Sequence, residues 1–167
     1  MSPNHKDPLR ILSTGGTFEK SYDPITGSLG FSTSHLNDIC AQARLLDTIA
    51  IEVVMLIDSL DMNDGHREQL LEACRAAPES RLVIIHGTDT LAQSAQTLGK
   101  AQLAKTIVLT GAMVPFDVTR SDALFNLGFA IAAARLQPHG VQIAMNGQLF
   151  AWNAVRKNRD AGRFEDV

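Results

Sequence analysis

The sequence has no long apolar run, no excess of basic residues and no apolar segment at its start. A membrane-spanning helix needs about 20 consecutive apolar residues, and no stretch of this chain approaches that length. The 15 Lys and Arg residues are outnumbered by 18 Asp and Glu residues, and the net charge of −3 disfavours a nucleic-acid or anionic-membrane partner. Residues 1–7 are polar and lack the apolar core of a secretory signal, which predicts a cytoplasmic protein.

Cysteine is scarce, and no other pattern indicates a metal or a cofactor. Cys40 and Cys74 fall in helix-like stretches and lack a C-x-x-C partner, so we predict two reduced, largely buried thiols. His86 has no second His or Cys at the spacing of metal ligands, which favours a structural hydrogen-bonding role. The glycines at positions 15 and 16 match neither G-x-G-x-x-G nor the GK[ST] phosphate loop, which counts against a nucleotide-binding domain. We therefore predict no metal and no cofactor.

Short apolar runs alternate with amphipathic, helix-like stretches along the chain. The runs that resemble buried strands are residues 11–12, 51–57, 82–85, 106–109 and 141–145. The helix-like stretches are residues 35–46, 64–76, 91–100 and 121–136. Asp64 is a plausible cap of the second helix, and Ser32 or Ser34 of the first. This alternation predicts an α/β fold, a three-layer sandwich with a mostly parallel, doubly wound sheet of the Rossmann or flavodoxin type. With 167 residues, the chain fits one domain, residues 1–167.

One connection is much longer than the others. Residues 14–33 separate the first strand from the first helix, whereas such connections usually have about 2–6 residues. The segment is rich in Gly, Thr, Ser and Pro, and Pro24 and Gly27 indicate a turn within a small hairpin. A loop of this length in a compact domain is usually functional or disordered, and it begins at the sheet edge where open α/β folds bind ligands.

Polar segments follow four of the predicted strands at that same edge. They are residues 13–17, 58–64, 86–90 and 110–113, which parallel topology brings into one cleft. Each also has a structural explanation. The glycine pair suits a tight turn, and Asp89 suits the N-cap of a helix that begins near Leu91. Lys157 lies in a basic cluster, residues 155–159, that is typical of a solvated tail.

Two of these segments resemble the signature motifs of the bacterial-type L-asparaginase family. They are residues 11–17 (Ile-Leu-Ser-Thr-Gly-Gly-Thr) and residues 83–90 (Val-Ile-Ile-His-Gly-Thr-Asp-Thr), with weaker similarities at residues 61–64, 111–113 and 125–127. The resemblance implies an L-asparaginase, an amidohydrolase that converts L-asparagine to L-aspartate and ammonia through a threonine nucleophile and an acyl-enzyme. The implied catalytic residues are Thr17, Tyr22, Thr88, Asp89 and Lys157, and the implied substrate-binding residues are Ser59, Thr88 and Asp89.

The resemblance also implies a role for each residue. Thr17 is the nucleophile, and Thr88 with Lys157 forms a proton relay, which requires a neutral lysine. Asp89 holds the substrate α-ammonium group, and Ser59 contacts the α-carboxylate. Tyr22 belongs to the flexible loop, and backbone N–H groups at residues 87–89 stabilise the oxyanion.

The sequence departs from the family pattern in ways that affect the site. It resembles a short, single-domain form without the C-terminal domain that, in typical members, reaches into a neighbouring subunit's site. An acidic partner of Tyr22 would then be missing, and Glu19 or Glu165 would be its substitute. Leu60 stands where a glutamine often follows the carboxylate-binding serine, which leaves the choice between asparagine and glutamine open.

The implied partners are L-asparagine and further copies of the chain. A domain without its usual companion exposes surface, so at least a dimer is expected. Two other functions stay open: the same chemistry on another amide, such as glutamine or an asparaginyl peptide, and a binding module for small amino acids that has lost turnover. The presence of Thr17 together with its partners argues against a pure binder, which needs no nucleophile.

Overall fold

The computed structural model describes residues 7–46 and 49–167, and within them the chain alternates strands and helices. The polar start that predicted a cytoplasmic protein lies outside the described residues, apart from Asp7. The strands are β1 (Leu9–Gly15), β2 (Ser21–Asp23), β3 (Ser28–Gly30), β4 (Ala50–Ile57), β5 (Arg81–Ile85), β6 (Thr106–Thr110), β7 (Gly140–Met145), β8 (Gln148–Ala151), β9 (Val155–Asn158) and β10 (Arg163–Asp166). The helices are α1 (Leu36–Gln42), α2 (Asp64–Ala76), α3 (Leu91–Lys100) and α4 (Ala123–Leu136).

A six-stranded sheet forms the centre, in the order β4-β1-β5-β6-β7-β8. The first five of these strands are parallel, and β8 runs antiparallel to β7 at one edge. Successive strand residues point to opposite faces, so Leu82 and Ile84 pack with α2 and α3, whereas Val83 and Ile85 pack with α1 and α4. Two buried layers thus enclose the sheet, and the predicted mostly parallel, three-layer α/β fold is confirmed.

The element boundaries follow the prediction where apolar residues define them. Helices α2 and α3 have the predicted bounds, but α1 ends at Gln42 and not at residue 46. Arg44, just beyond α1, has a φ of 53°, a left-handed conformation that does not continue a helix. The prediction that Asp64 caps α2 was wrong, because the Asn63 side chain accepts the His66 N–H and forms a capping box.

The cap of α1 also differs from the prediction. His35 occupies the N-cap position, and its side chain makes no capping hydrogen bond. The Ser34 hydroxyl accepts the Leu36 N–H at 3.3 Å, while it donates to Glu19 at 2.9 Å. Ser34 therefore supports the start of the helix from one position earlier.

Two small antiparallel hairpins accompany the sheet. The predicted hairpin in the long loop is β2–β3, in which Tyr22 is opposite Leu29, and Gly27 in its turn has a φ of 69°. The second hairpin, β9–β10, was missed, and the interpretation of residues 155–159 as a solvated tail was wrong. Its strands are short and mostly charged, but Val155 and Phe164 are buried against the core.

Both thiols are free. Cys74 is buried and Cys40 is half-buried, which matches the prediction for Cys74 more closely than for Cys40. Burial raises the pKa of Cys74 to about 12 and also raises that of Cys40, so both thiols stay protonated at neutral pH. In the part of the chain that the structure describes, no helix is long and apolar enough to cross a membrane. Across residues 7–46 and 49–167, no group of three or more His, Cys, Asp and Glu side chains could hold a metal ion.

Candidate active site

The ends of three adjacent parallel strands bring the predicted site segments together. Strands β4, β1 and β5 are neighbours in the sheet, so the segments that follow them meet at one edge. Two of these segments are short 3₁₀ turns: Thr17–Glu19 after β1 and Ser59–Asp61 after β4. The third is the loop at residues 86–90, which leads from β5 into α3.

The backbones of the first and third segments touch at Gly16 and Gly87. A Cβ atom added to Gly16 would lie 2.3 Å from the Gly87 Cα and N atoms, so no side chain fits there. Gly16 also has a φ of 68°, and its N–H donates to the Ile57 carbonyl at 3.0 Å. The glycine pair therefore forms a tight turn, as one interpretation predicted, and this turn also seats Thr17 beside the loop at residues 86–90.

Thr17 is half-buried at the start of its turn. The Thr17 carbonyl accepts the Lys20 N–H at 3.2 Å. Its hydroxyl forms no hydrogen bond with residues 7–46 or 49–167. The Thr17 hydroxyl is thus not used to hold the fold and is available to another partner.

Ser59 is buried and is bonded to the loop at residues 86–90 in two ways. Its hydroxyl accepts the Asp89 N–H at 3.2 Å, and its carbonyl accepts the Thr90 hydroxyl at 2.7 Å. A Cβ on Gly87 would lie 2.6 Å from the Ser59 Oγ, so a glycine is needed there as well. Since the Asp89 N–H is already donated to Ser59, it is not free to serve as an oxyanion donor in this geometry.

Lys157 joins the other two predicted residues of the loop. It extends from β9, and its Nζ donates to Thr88 Oγ1 at 2.7 Å and to Asp89 Oδ1 at 2.8 Å. The Lys157 side chain is only 14% exposed. Arg159 lies 3.6 Å from the same Asp89 oxygen, and no hydrogen bond from residues 7–46 or 49–167 reaches Oδ2. The loop residues and Lys157, almost 70 positions apart, form one charged cluster.

These contacts decide two of the open alternatives. Asp89 is not the N-cap of α3, because Thr90 occupies that position and makes no side-chain capping bond. Lys157 is not part of a solvated tail, because it lies opposite Phe164 in the β9–β10 hairpin, and residues directly opposite each other share a face. Phe164 is buried, so the face that carries Lys157 is directed toward the protein.

His86 has the structural role that the sequence favoured. Its Nδ1 donates to the Gly87 carbonyl at 2.7 Å, and its Nε2 accepts the Ser94 hydroxyl at 2.7 Å. The ring is fully buried, and burial lowers its pKa to about 4. His86 is therefore neutral at pH 7 and ties the site loop to α3.

Tyr22, like Thr17, makes no described hydrogen bond with Thr88, Asp89 or Lys157, and it is the more exposed of the two. Its side chain on β2 is 57% exposed, and its hydroxyl forms no hydrogen bond within the described ranges. Neither proposed acidic substitute contacts it. Glu19 is buried and accepts from Ser13, Ser34 and the His35 N–H, whereas Glu165 accepts from Arg156 and Asn158. Both substitutes were wrong, because these carboxylates are already used to join other segments.

Asn126 and Asp58 lie in motif segments of the sequence but were given no role there, and Lys20 was missed. Asn126 on α4 donates to the Gly111 carbonyl at 2.9 Å and accepts the Asn146 N–H at 3.0 Å, so it joins the ends of β6 and β7. Lys20 forms an ion pair with Asp58 at 2.5 Å beside the two turns. Lys20 is the only basic residue in residues 14–33, a loop rich in Gly, Ser and Thr, and this position could have identified it from the sequence.

Comparison with known proteins assigns this architecture to a family. The family described as "Asparaginase, N-terminal" matches residues 8–164, which is nearly the whole chain. The chain therefore belongs to the asparaginase family and corresponds to its N-terminal part.

The chain is also similar to named proteins and to a solved structure. It is 29% identical over 162 residues to L-asparaginase 1 of Escherichia coli K12, covering 91% of this chain and 48% of that protein. It is 32% identical over 154 residues to a glutamyl-tRNA(Gln) amidotransferase subunit of Methanococcus vannielii, covering 89% of this chain and 36% of that protein. The thermostable L-asparaginase from Thermococcus kodakarensis superimposes with a TM-score of 0.83 at 28% identity, over 96% of this chain and 51% of that one. The chain thus spans about half the length of the asparaginases it matches.

Proposed function

We propose that this chain hydrolyses L-asparagine to L-aspartate and ammonia, with Thr17 as the nucleophile. The observation that carries the proposal is the contact of Lys157 Nζ with both Thr88 Oγ1, at 2.7 Å, and Asp89 Oδ1, at 2.8 Å. This cluster adjoins Thr17 through the contact of Gly16 with Gly87. The similarity to L-asparaginase 1 of Escherichia coli supports the choice of reaction.

The chemistry proceeds through an ester on Thr17. Its Oγ attacks the side-chain amide carbon of asparagine, and the hydroxyl proton is transferred to a nearby base. The C–N bond then breaks, the nitrogen takes up a proton and ammonia leaves. Water attacks the remaining ester, which releases aspartate and restores the hydroxyl.

Thr88 and Lys157 form the proton relay in this proposal. Because the Thr88 oxygen accepts a hydrogen bond from Lys157, the Thr88 hydroxyl proton is directed elsewhere and can be exchanged with water or with Thr17. Lys157 takes up a proton through Thr88 only in its neutral form, which this relay requires. No metal or organic cofactor takes part.

The two polar ends of the amino acid bind to different segments. Lys157 donates to Asp89 Oδ1, and no hydrogen bond from the described residues occupies Oδ2, so Oδ2 is assigned to the substrate α-ammonium group. The Ser59 hydroxyl accepts from the Asp89 N–H, so it can donate its own proton to the α-carboxylate. Two hydrogen bonds of opposite polarity would then fix the orientation of the substrate.

The first experiment measures ammonia release from L-asparagine and, separately, from L-glutamine. Wild type is expected to release ammonia from asparagine, and Thr17→Ala is expected to lose this activity at least 10³-fold, since no other nucleophile replaces the hydroxyl. Thr97→Ala is the matched control, because Thr97 is half-buried on α3, as Thr17 is at its turn, and its hydroxyl bonds only to the Gln93 carbonyl among the described residues. A folded wild type that releases no ammonia from either amide would overturn the proposal in favour of a binding module.

Hydrolysis or transfer of an amide on a larger molecule is the second candidate. It is favoured by the similarity to a subunit of a glutamyl-tRNA(Gln) amidotransferase. An asparaginyl peptide and glutamine test it in the same ammonia assay. Activity that is greater on either of these than on free asparagine would move the assignment to this candidate.

Location in the cytoplasm, a one-domain organisation over residues 1–167 and assembly into at least a dimer remain predictions. Gel filtration at micromolar concentration tests the last of these. A monomer in that experiment would contradict the prediction of an oligomer.

A further inference from the structure

Lys20 and Asp58 connect the two short turns that carry Thr17 and Ser59. Lys20 follows the Thr17–Glu19 turn, and its N–H donates to the Thr17 carbonyl at 3.2 Å. Asp58 precedes the Ser59–Asp61 turn, and its Oδ1 accepts the Leu60 N–H at 3.0 Å. The Lys20 Nζ lies 2.5 Å from Asp58 Oδ2, so the end of one turn is joined to the start of the other.

The pair is partly shielded from water. The two side chains are 20% and 29% exposed, and the Lys20 Nζ also lies 5.7 Å from the centre of the Phe31 ring. The hydrogen bond from Lys20 lowers the pKa of Asp58, and the charge of Lys157 lowers it further. Asp58 is therefore an ionised carboxylate paired with Lys20, and it is adjacent in sequence to the serine that would bind the substrate carboxylate.

We propose that Lys20 and Asp58 are a positioning pair that sets the spacing between Thr17 and the bound substrate and neutralises the Asp58 carboxylate beside the binding site for the α-carboxylate. The inference rests on the proposed function, because it assigns Thr17 and Ser59 to one substrate. A shift of about 1 Å in a positioning element can cost roughly 10²-fold in rate, which is why a link between the two turns matters.

The two members of the pair are expected to have unequal effects. Removal of Lys20 leaves a negative charge at Asp58 next to the site for the substrate carboxylate, which repels it. Removal of the Asp58 charge leaves Lys20, whose positive charge attracts the same carboxylate. A simple structural tie would show no such asymmetry, since either substitution breaks the same contact.

The test compares Lys20→Met, Asp58→Asn and the double variant in steady-state hydrolysis of asparagine. Methionine keeps the apolar packing on Phe31, and asparagine keeps the contact with the Leu60 N–H. We expect KM to rise roughly tenfold in Lys20→Met and no more than about threefold in Asp58→Asn. The KM of the double variant should be lower than that of Lys20→Met. Lys20→Arg is expected to stay within about twofold of the wild-type KM, because it restores the charge.

A second ion pair serves as the control. Arg10 contacts Glu52 at 2.8 Å and Glu79 at 2.7 Å, and it lies near the start of β1, at the opposite end from the site segments. Arg10→Met and Glu52→Gln are expected to change stability without a change in KM. Equal KM values for Lys20→Met and Asp58→Asn, or additive effects in the double variant, would overturn the inference.

Binding of L-aspartate, measured by calorimetry on the same variants, separates this inference from the proposed function. A wild type that binds aspartate without hydrolysing asparagine would reject the proposed function, and the Kd values would then decide the role of the pair by the same asymmetry. A wild type that neither binds aspartate nor releases ammonia would reject both.

Discussion

The loop at residues 87–90 and the β2–β3 hairpin carry residues of the same proposed site, but the protein holds them in opposite ways. The loop is enclosed: Thr88 and Thr90 are buried, and Gly87 has no room for a side chain. The hairpin is open: Tyr22 is 57% exposed and Ile25 is 94% exposed. Beyond its own strands, the hairpin region is linked through hydrogen bonds at its base, Lys20 to Asp58 and Ser21 to His35.

This difference indicates that the loop fixes its groups in one geometry, whereas the hairpin leaves its groups able to move. Groups that must meet a substrate in one geometry are fixed by backbone packing and by buried hydrogen bonds, which do not rearrange cheaply. A group on a hairpin attached at its base can approach or withdraw on a faster timescale. We therefore expect substitutions in the loop to affect both folding and activity, and removal of the Tyr22 hydroxyl from the hairpin to affect activity alone.

The largest effect is expected from Gly16→Ala. Gly16 and Gly27 have nearly equal φ values, 68° and 69°, so alanine meets a similar left-handed strain of about 1–2 kcal/mol at both positions. At Gly16 the new methyl group would also overlap the Gly87 backbone, whereas nothing lies within 4 Å of the corresponding position at Gly27. We expect Gly16→Ala to destabilise the fold by more than about 3 kcal/mol and to abolish activity.

Gly27→Ala is the matched control for this prediction, measured by urea unfolding and ammonia release. Gly27→Ala is expected to lower the free energy of unfolding by no more than the backbone strain and to leave activity within a few-fold of wild type. Similar losses of stability and activity in the two variants would show that the contact of Gly16 with Gly87 does not hold the loop. The contrast between loop and hairpin would then fail.

The sequence predicted the sheet and the two best-bounded helices because their signal is local. Buried parallel strands are runs of Val, Ile and Leu, and α2 and α3 have an apolar face at helical spacing. The hairpin β9–β10 has no such signal, since the segment around Lys157 reads as polar. Its pairing depends on Arg156 with Glu165 and on the burial of Phe164, which only the folded chain brings together.

The site was predictable in position but not in geometry. The segments that carry Thr17, Thr88 and Asp89 follow predicted strands, and the topology explains why such ends meet, whereas the proposed roles of these residues rest on the family resemblance. The contact of Lys157 with Asp89 joins residues 68 positions apart, and no local pattern encodes it. The same applies to Glu19, whose three donors come from separate segments, and to the exposed position of Tyr22.

A smaller effect, on stability alone, is expected from the titration of His86, which bonds to the loop at the Gly87 carbonyl. Burial lowers its pKa to about 4, against about 6.5 in the unfolded chain, so the unfolded state binds more protons between these values. The contribution of neutral His86 to the free energy of unfolding is therefore fully present above pH 6.5 and is lost as the pH falls toward 4. The total loss is about 3 kcal/mol. Unfolding free energies of wild type from pH 7.5 to 4.5 should fall more steeply than those of His86→Gln.

His139→Gln is the matched control, because it makes the same substitution at an exposed histidine. The carboxylates with lowered pKa values, Asp58 and Glu79 among them, lose their contributions to the unfolding free energy at more acidic pH. This loss is the same in wild type, His86→Gln and His139→Gln. Parallel curves for wild type and His86→Gln would show that His86 is not a buried neutral group, and that the loop is more open than its contacts indicate.

The smallest effect on stability is expected from Tyr22→Phe on the hairpin. The hydroxyl forms no hydrogen bond with any residue in the ranges 7–46 and 49–167, so its removal should change the unfolding free energy by less than about 0.5 kcal/mol. If the hairpin closes over the substrate, the hydroxyl then reaches the reacting atoms, and kcat should fall roughly 10²-fold. Ile25→Ser at the exposed tip of the same hairpin is the control and should preserve kcat. A Tyr22→Phe variant with wild-type kcat and wild-type stability would show that the hairpin carries no catalytic group, so that the enclosed loop with Lys157 and Thr17 performs the reaction alone.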